Sequence, residues 1–205
     1  MLEYARLDLL REVKLANGAD AHTLVVMRPT AKQFSDMVIG DTVLERFDKF
    51  VSQCCKALNG TGELLDIRAA QLDGVDGGEV ADIINEMREQ AEKITAVEVG
   101  DGINEPLVYT LIHPLKLASA ESGEGETVKQ ISFQARRLGE MSEYLDAANE
   151  PNEFPVFMRT FGTLLGTKLP MTDGIANALD FEDYLVIRRV VMGKLVRSRK
   201  RWKKT

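Results

Sequence analysis

His22, His113, Cys54 and Cys55 are the residues of this chain whose types best suit metal binding or nucleophilic chemistry. His22 falls in an apolar-alternating run and His113 stands directly before Pro114. Neither has a second His, Cys or carboxylate at the spacing that metal ligands use, so both read as strand or surface histidines. Cys54 lies on an apolar stripe of helical period, which makes it a core residue; Cys55, beside Lys56, is left open, since only a positive field would lower its thiol pKa. A bridge between these neighbours would need strained geometry, so no disulfide framework is expected. Asp73, Asp76 and Glu79 stand among Gly74, Gly77 and Gly78 but lack the alternating ligands and terminal Glu of a calcium loop. Gly60-Thr61-Gly62 lacks the Lys-Ser/Thr of a phosphate loop, and neither Gly-x-Ser-x-Gly nor Gly-x-Gly-x-x-Gly occurs. No catalytic, cofactor-binding or metal-binding set emerges, and the expectation is a protein that is not an enzyme.

Charge is distributed unevenly. All 32 acidic residues lie at or before Asp183 and nine of the 26 basic residues lie from Arg188 onward, so residues 1–187 carry −15 and the remainder +9. The terminal cluster Arg197, Arg199, Lys200, Arg201, Trp202, Lys203 and Lys204 is the candidate partner-binding segment. Basic residues beside an aromatic suit nucleic acid or an acidic protein surface, and cations also stabilise a helix C-terminus. The −15 of the remainder opposes a broad phosphate-contacting surface. The preferred reading is docking on the acidic face of a neighbouring subunit, giving a homo-oligomer.

A hydrophobic content of 44% and a charged content of 28% fit a folded chain with a real core. No apolar run approaches a membrane span, and Glu3, Asp8 and Glu12 stand where a secretory signal would be apolar, which reads as cytosolic.

The elements that must carry these residues come in two copies. At an offset of 107 residues the apolar positions fall into register without a gap over residues 24–84. Leu24 and Val26 match Ile131 and Phe133, a strand pattern. Phe47, Phe50, Val51, Cys54 and Leu58 match Phe154, Phe157, Met158, Phe161 and Leu165, the stripe of a core-facing helix. Leu72-Asp73-Gly74-Val75-Asp76 matches Leu179-Asp180-Phe181-Glu182-Asp183, so both copies read Leu-Asp-x-x-Asp and then an apolar helix. Upstream, residues 13–16 resemble residues 115–118 once a five-residue insertion is allowed in the second turn.

Local signals agree with the repeat. Asn17-Gly18 between apolar-alternating runs predicts a hairpin of residues 11–16 with residues 22–28. Pro29 ends the second strand and Thr30 caps a helix from Ala31. Asp73 and Asp180 are placed as N-caps, with Asp76 and Asp183 in the first turn against its exposed N–H groups. The expected fold is α+β: two tandem small modules, each a β-hairpin followed by about three helices. The expected bounds are residues 1–95 and 107–196, a joint at 96–106 rich in Gly, Asn and Pro, and a basic tail at 197–205.

This order of parts, with Val26-Met27-Arg28-Pro29-Thr30, residues 72–87 and residues 179–191, resembles the small tail assembly chaperones of contractile-tailed bacteriophages, the Mu-like and P2-like group. Two departures stand out: the Glu usual between Arg and Pro is absent, and such chaperones normally contain one module. The resemblance implies binding of the tape measure protein in the host cytoplasm, holding its long apolar helices while the tail tube polymerises. The second choice is a structural tail or baseplate hub component, similar to those of T4-like phages; a nucleic-acid-binding module using the basic tail is the third.

Overall fold

The computed structural model describes residues 2–15, 17–37, 42–93, 98–99, 104–117 and 125–196. The chain divides into two compact units, Met1–Ala91 and Glu92–Thr205, each an α+β module.

In the first unit, β1 (Glu3–Lys14) and β2 (Asp20–Met27) form the expected hairpin, with β1 running well beyond its predicted start. The turn depends on Gly18 at φ 81°, a backbone that only Gly adopts freely, and Asn17 Oδ1 accepts the Ala19 N–H at 3.0 Å. Thr30 caps α1 (Ala31–Asp36) in a reciprocal box with Gln33, and Thr42 does the same with Glu45 for α2 (Val43–Cys54). At Cys55 the backbone turns extended and the helix passes straight into β3 (Cys55–Asn59), followed by β4 (Leu64–Asp66). A short 3-10 turn, Ala69–Gln71, leads to α3 (Gly74–Lys93). The antiparallel sheet has the order β1-β2-β3-β4.

The second unit opens with β5 (Glu98–Val99), inside the segment read as the joint, and continues with β6 (Leu107–Leu117) and β7 (Glu126–Phe133). A 3-10 turn (Leu138–Glu140), α4 (Ser142–Ala147), α5 (Glu153–Phe161) and β8 (Gly162–Leu164) follow. After α6 (Asp173–Ala178), helix α7 (Phe181–Val186) runs through a π turn (Ile187–Val191) into α8 (Met192–Leu195). This sheet has the order β5-β6-β7-β8.

The modules agree in register. Leu24 pairs with Ala57 in the first sheet, and their counterparts 107 residues on, Ile131 and Leu164, pair in the second. Between Asp8↔Thr23 and Val13↔Ala21 the first strand advances five residues against two, and the same irregularity lies between Thr110↔Gln130 and Leu115↔Val128. The modules differ at the sheet edges, where the first adds β4 and the second adds β5.

The structure corrects one expectation at both matching places. Leu58 is in β3 and Leu165 lies just beyond β8, so neither belongs to the preceding helix. Each core sits between sheet and helices. Leu24, Val26, Phe50, Val51 and Cys54 are buried in the first module, and Ile131, Phe133, Phe157, Met158 and Phe161 in the second. Phe157 anchors the latter, 4.8 Å from Phe161 and 6.0 Å from Phe133 between ring centroids.

Candidate functional site

The Leu-Asp-x-x-Asp block splits its two carboxylates between two tasks. The first caps the helix, as expected: Asp73 Oδ1 accepts the N–H groups of Val75 and Asp76 at 2.8 and 2.9 Å, and Asp180 Oδ1 accepts that of Glu182 at 3.0 Å. These N–H bonds, that of Asp76 foremost, hold the Asp73 carboxyl below its ordinary pKa. The second aspartate was expected to meet the N–H groups of its own first turn. It reaches instead across the module to the irregularity in the first strand.

Leu10 N–H donates to Asp76 Oδ1 at 3.1 Å; Ile112 and His113 N–H donate to the two oxygens of Asp183 at 2.8 and 3.1 Å. Bulged strands leave backbone donors unpaired, and a buried donor without a partner is costly, so a carboxylate brought in by the helix satisfies them. Asp183 also accepts from Tyr109 Oη at 2.8 Å. Burial pushes the Asp183 carboxyl up from its ordinary range, opposed by these three hydrogen bonds, and burial beside that charge raises the Tyr109 phenol. In the first module Asp76 Oδ2 is buried with no hydrogen-bond partner.

His113, read from spacing as having no carboxylate neighbours, has two in three dimensions. Its Nε2 lies 2.7 Å from Glu182 Oε2 and 3.8 Å from Asp180 Oδ1. The bulge carries His113 past the start of α7, a placement no local spacing reveals. The ligand-type atoms of His113, Asp180 and Glu182 all lie within 4.8 Å of one another, the sole such group among the described residues. The direct His113–Glu182 contact already pairs two of the three, and the arrangement is that of a polar tie between β6 and α7. His22 contacts Glu12 Oε1 at 2.8 Å across an exposed face of the first hairpin.

The feature that distinguishes the modules lies between their second helix and the one that follows Leu-Asp-x-x-Asp. In the second module this space is full. Phe181 and Tyr184 are buried, Tyr184 meets Phe154 edge-on at 4.6 Å between centroids, and Arg188 lies over the Tyr184 ring while its guanidinium approaches Glu153 at 3.7 Å. In the first module the corresponding residues are Gly74, Gly77, Ala81 and Arg46. A Cβ on Gly77 would stand 3.9 Å from Phe47, the counterpart of Phe154.

Two open hollows take the place of the missing side chains, on either side of the half-buried Phe47. One, of about 730 Å³, is bounded by Leu44, Phe47, Ala69, Leu72, Gly74 and Gly77, with Glu45, Asp48, Arg68 and Asp73 at its rim. The other, of about 460 Å³, is bounded by Met37, Val43, Phe47, Phe50 and Ile84, with Arg46 and Arg88 among its polar neighbours. Val43 and Leu44 stand at this groove 75% and 71% exposed. Both hollows fall within the range of ligand and side-chain pockets.

Cys54 and Cys55 are fully buried, and burial pushes the Cys54 thiol up to about 12 and raises Cys55 further. Both are packing residues, which resolves Cys55. The folded protein should therefore react with a disulfide-exchange reagent such as DTNB only as fast as it opens, and both thiols should titrate at once in denaturant; rapid labelling of the native chain would contradict this.

The terminal residues singled out for partner binding, Arg197, Arg199, Lys200, Arg201, Trp202, Lys203 and Lys204, lie outside the described residues. No helix among the described residues is long and apolar enough to cross a membrane. No family description, curated protein or solved structure matches this chain.

Proposed function

We propose that the protein is a non-enzymatic tail morphogenesis factor of a contractile-tailed phage, an assembly chaperone that holds helices of the tape measure protein in the host cytoplasm. The observation that carries this reading is the open apolar groove of the first module, set beside the same site plugged in the second. A holding protein needs a pre-formed apolar surface that a client helix can cover and leave, and helix-in-groove docking is the common physical solution. The hairpin, the Arg28-Pro29-Thr30 transition and the two Leu-Asp-x-x-Asp helices support the same class through the resemblance.

The test is co-expression with a tape measure protein of a contractile-tailed phage, followed by affinity capture and mass spectrometry of finished particles. The expected result is capture of that protein with the chain and absence of the chain from particles. A fixed copy number in purified virions would overturn the chaperone role in favour of a structural tail or baseplate hub component.

A further inference from the structure

We propose that the hollow between α2 and the start of α3 in the first module docks a helical partner segment presenting two aromatic side chains three or four residues apart, beside a lysine or arginine. The inference rests on the holding role proposed above and specifies what its groove recognises. The second module supplies the template, because the residues at the same positions there are two buried aromatics three apart on one helix, Phe181 and Tyr184, of which Tyr184 meets Phe154. In the first module these positions are Gly74 and Gly77, which leave Phe47 half-exposed and Leu44 in solvent.

Glycine inside a helix weakens it relative to alanine, so Gly77 is a cost without a local return, whereas Gly74 stands at the first position of α3. A ring entering from outside would meet Phe47, Leu72 and Ala69 and restore the aromatic contact that Phe154 makes internally. The rim selects the charge beside it. Among the described residues that bound the hollow are three carboxylates, Glu45, Asp48 and Asp73, and one cation, Arg68, which lies 3.8 Å from Asp48. Three carboxylates against one guanidinium favour a basic neighbour to the aromatic pair.

Fluorescence polarisation tests this with the full chain and a labelled alanine-based helical peptide carrying Phe at i and i+3 flanked by lysines. The expected result is saturable binding that weakens by about tenfold or more when both Phe become Ala, the scale of a lost aromatic anchor. Gly77→Tyr, which plugs the hollow as Tyr184 does, should abolish binding. Leu44→Asn, which removes an apolar side chain at an exposed rim position without adding a carboxylate, should weaken it by a similar factor and guards against a folding defect in the first variant.

Equal binding of the Phe and Ala peptides, binding unchanged by both substitutions, or no binding of the Phe peptide would overturn the proposal. So would self-association of the chain that Gly77→Tyr abolishes, which would put a second copy in the groove. Peptide binding without recovery of any tail protein sinks the phage reading and leaves the groove standing. Recovery of a tail protein undiminished by Gly77→Tyr does the reverse.

Discussion

Replacing Asp183 by alanine is expected to destabilise the second module by about 3 to 5 kcal/mol, because it strands three buried or part-buried donors, each worth roughly 1 to 3 kcal/mol when left unpaired. These donors are the Ile112 and His113 N–H groups and the Tyr109 hydroxyl. Asp76→Ala should cost less, about 1 to 2 kcal/mol, since Asp76 accepts the Leu10 N–H through one oxygen while the other has no hydrogen-bond partner. Hydrogen exchange followed by mass spectrometry separates the modules, and protection in β6 and α7 should fall in the first variant, in β1 and α3 in the second. Equal losses would show that the two aspartates are not differently engaged.

The same carboxylate gives a pH signature. Its folded-state pKa is raised above the ordinary 3.8, so between those two values the folded state binds more protons than the unfolded state. Stability then falls as pH rises through that window and is regained as pH is lowered. Asp183→Asn removes the titration, so the wild-type chain should gain stability relative to this variant on acidification. Denaturant midpoints at neutral and mildly acidic pH measure the gain; a stability difference that does not move with pH would refute the burial of the charge. The groups that act on Asp183 are the Ile112 and His113 N–H groups, the Tyr109 hydroxyl and the Asp180 carboxylate, and the Asn variant keeps all four.

The repeat was legible in the sequence because it rests on short-range patterns. Alternation at Leu24 and Val26, the Asn17-Gly18 turn, the Thr30 cap and the Asp73 and Asp180 caps are each decided by residues within one turn of one another. The strands after α2 and α5 were not, because Leu58 and Leu165 continue the helical period of the preceding stripe and nothing at Cys55 announces the change of backbone; only Gly162, where a Cβ would meet the Met158 carbonyl, is a local stop signal. The second aspartates were misdirected for a different reason. Their side chains answer a shortage of partners in a strand some 70 residues earlier, created by a bulge that alternation does not encode. The His113–Glu182 contact depends on that bulge too.

The groove was present in the alignment as an unread contrast. Gly74, Gly77 and Ala81 against Phe181, Tyr184 and Arg188 are ordinary divergence until the two helices are known to face the same neighbour. The two modules share the scaffold at Phe50 and Phe157, whereas the plug present in one and absent from the other changes what each exposes. Beside the differences at the sheet edges, this face of one helix is where divergence opens a surface.

That contrast predicts opposite outcomes for one substitution made at matched positions. Phe154→Ala should cost about 3 to 5 kcal/mol, the usual range for a buried ring, because Phe154 is only 5% exposed and its loss leaves Tyr184 without its edge-on partner. Phe47→Ala should cost roughly 1 to 2 kcal/mol, since that ring is only partly buried and borders two open hollows, so its loss leaves no closed cavity. In binding the order reverses: Phe47→Ala should lose the aromatic peptide, while Phe154→Ala, assayed where the second module remains folded, should bind it as the wild-type chain does. Denaturation followed by module-resolved hydrogen exchange gives the first comparison and fluorescence polarisation the second. A Phe47 variant as unstable as its Phe154 counterpart would mean that the first module's groove is closed in solution. If instead both variants bound the peptide fully, its partner surface would have to lie elsewhere on the chain.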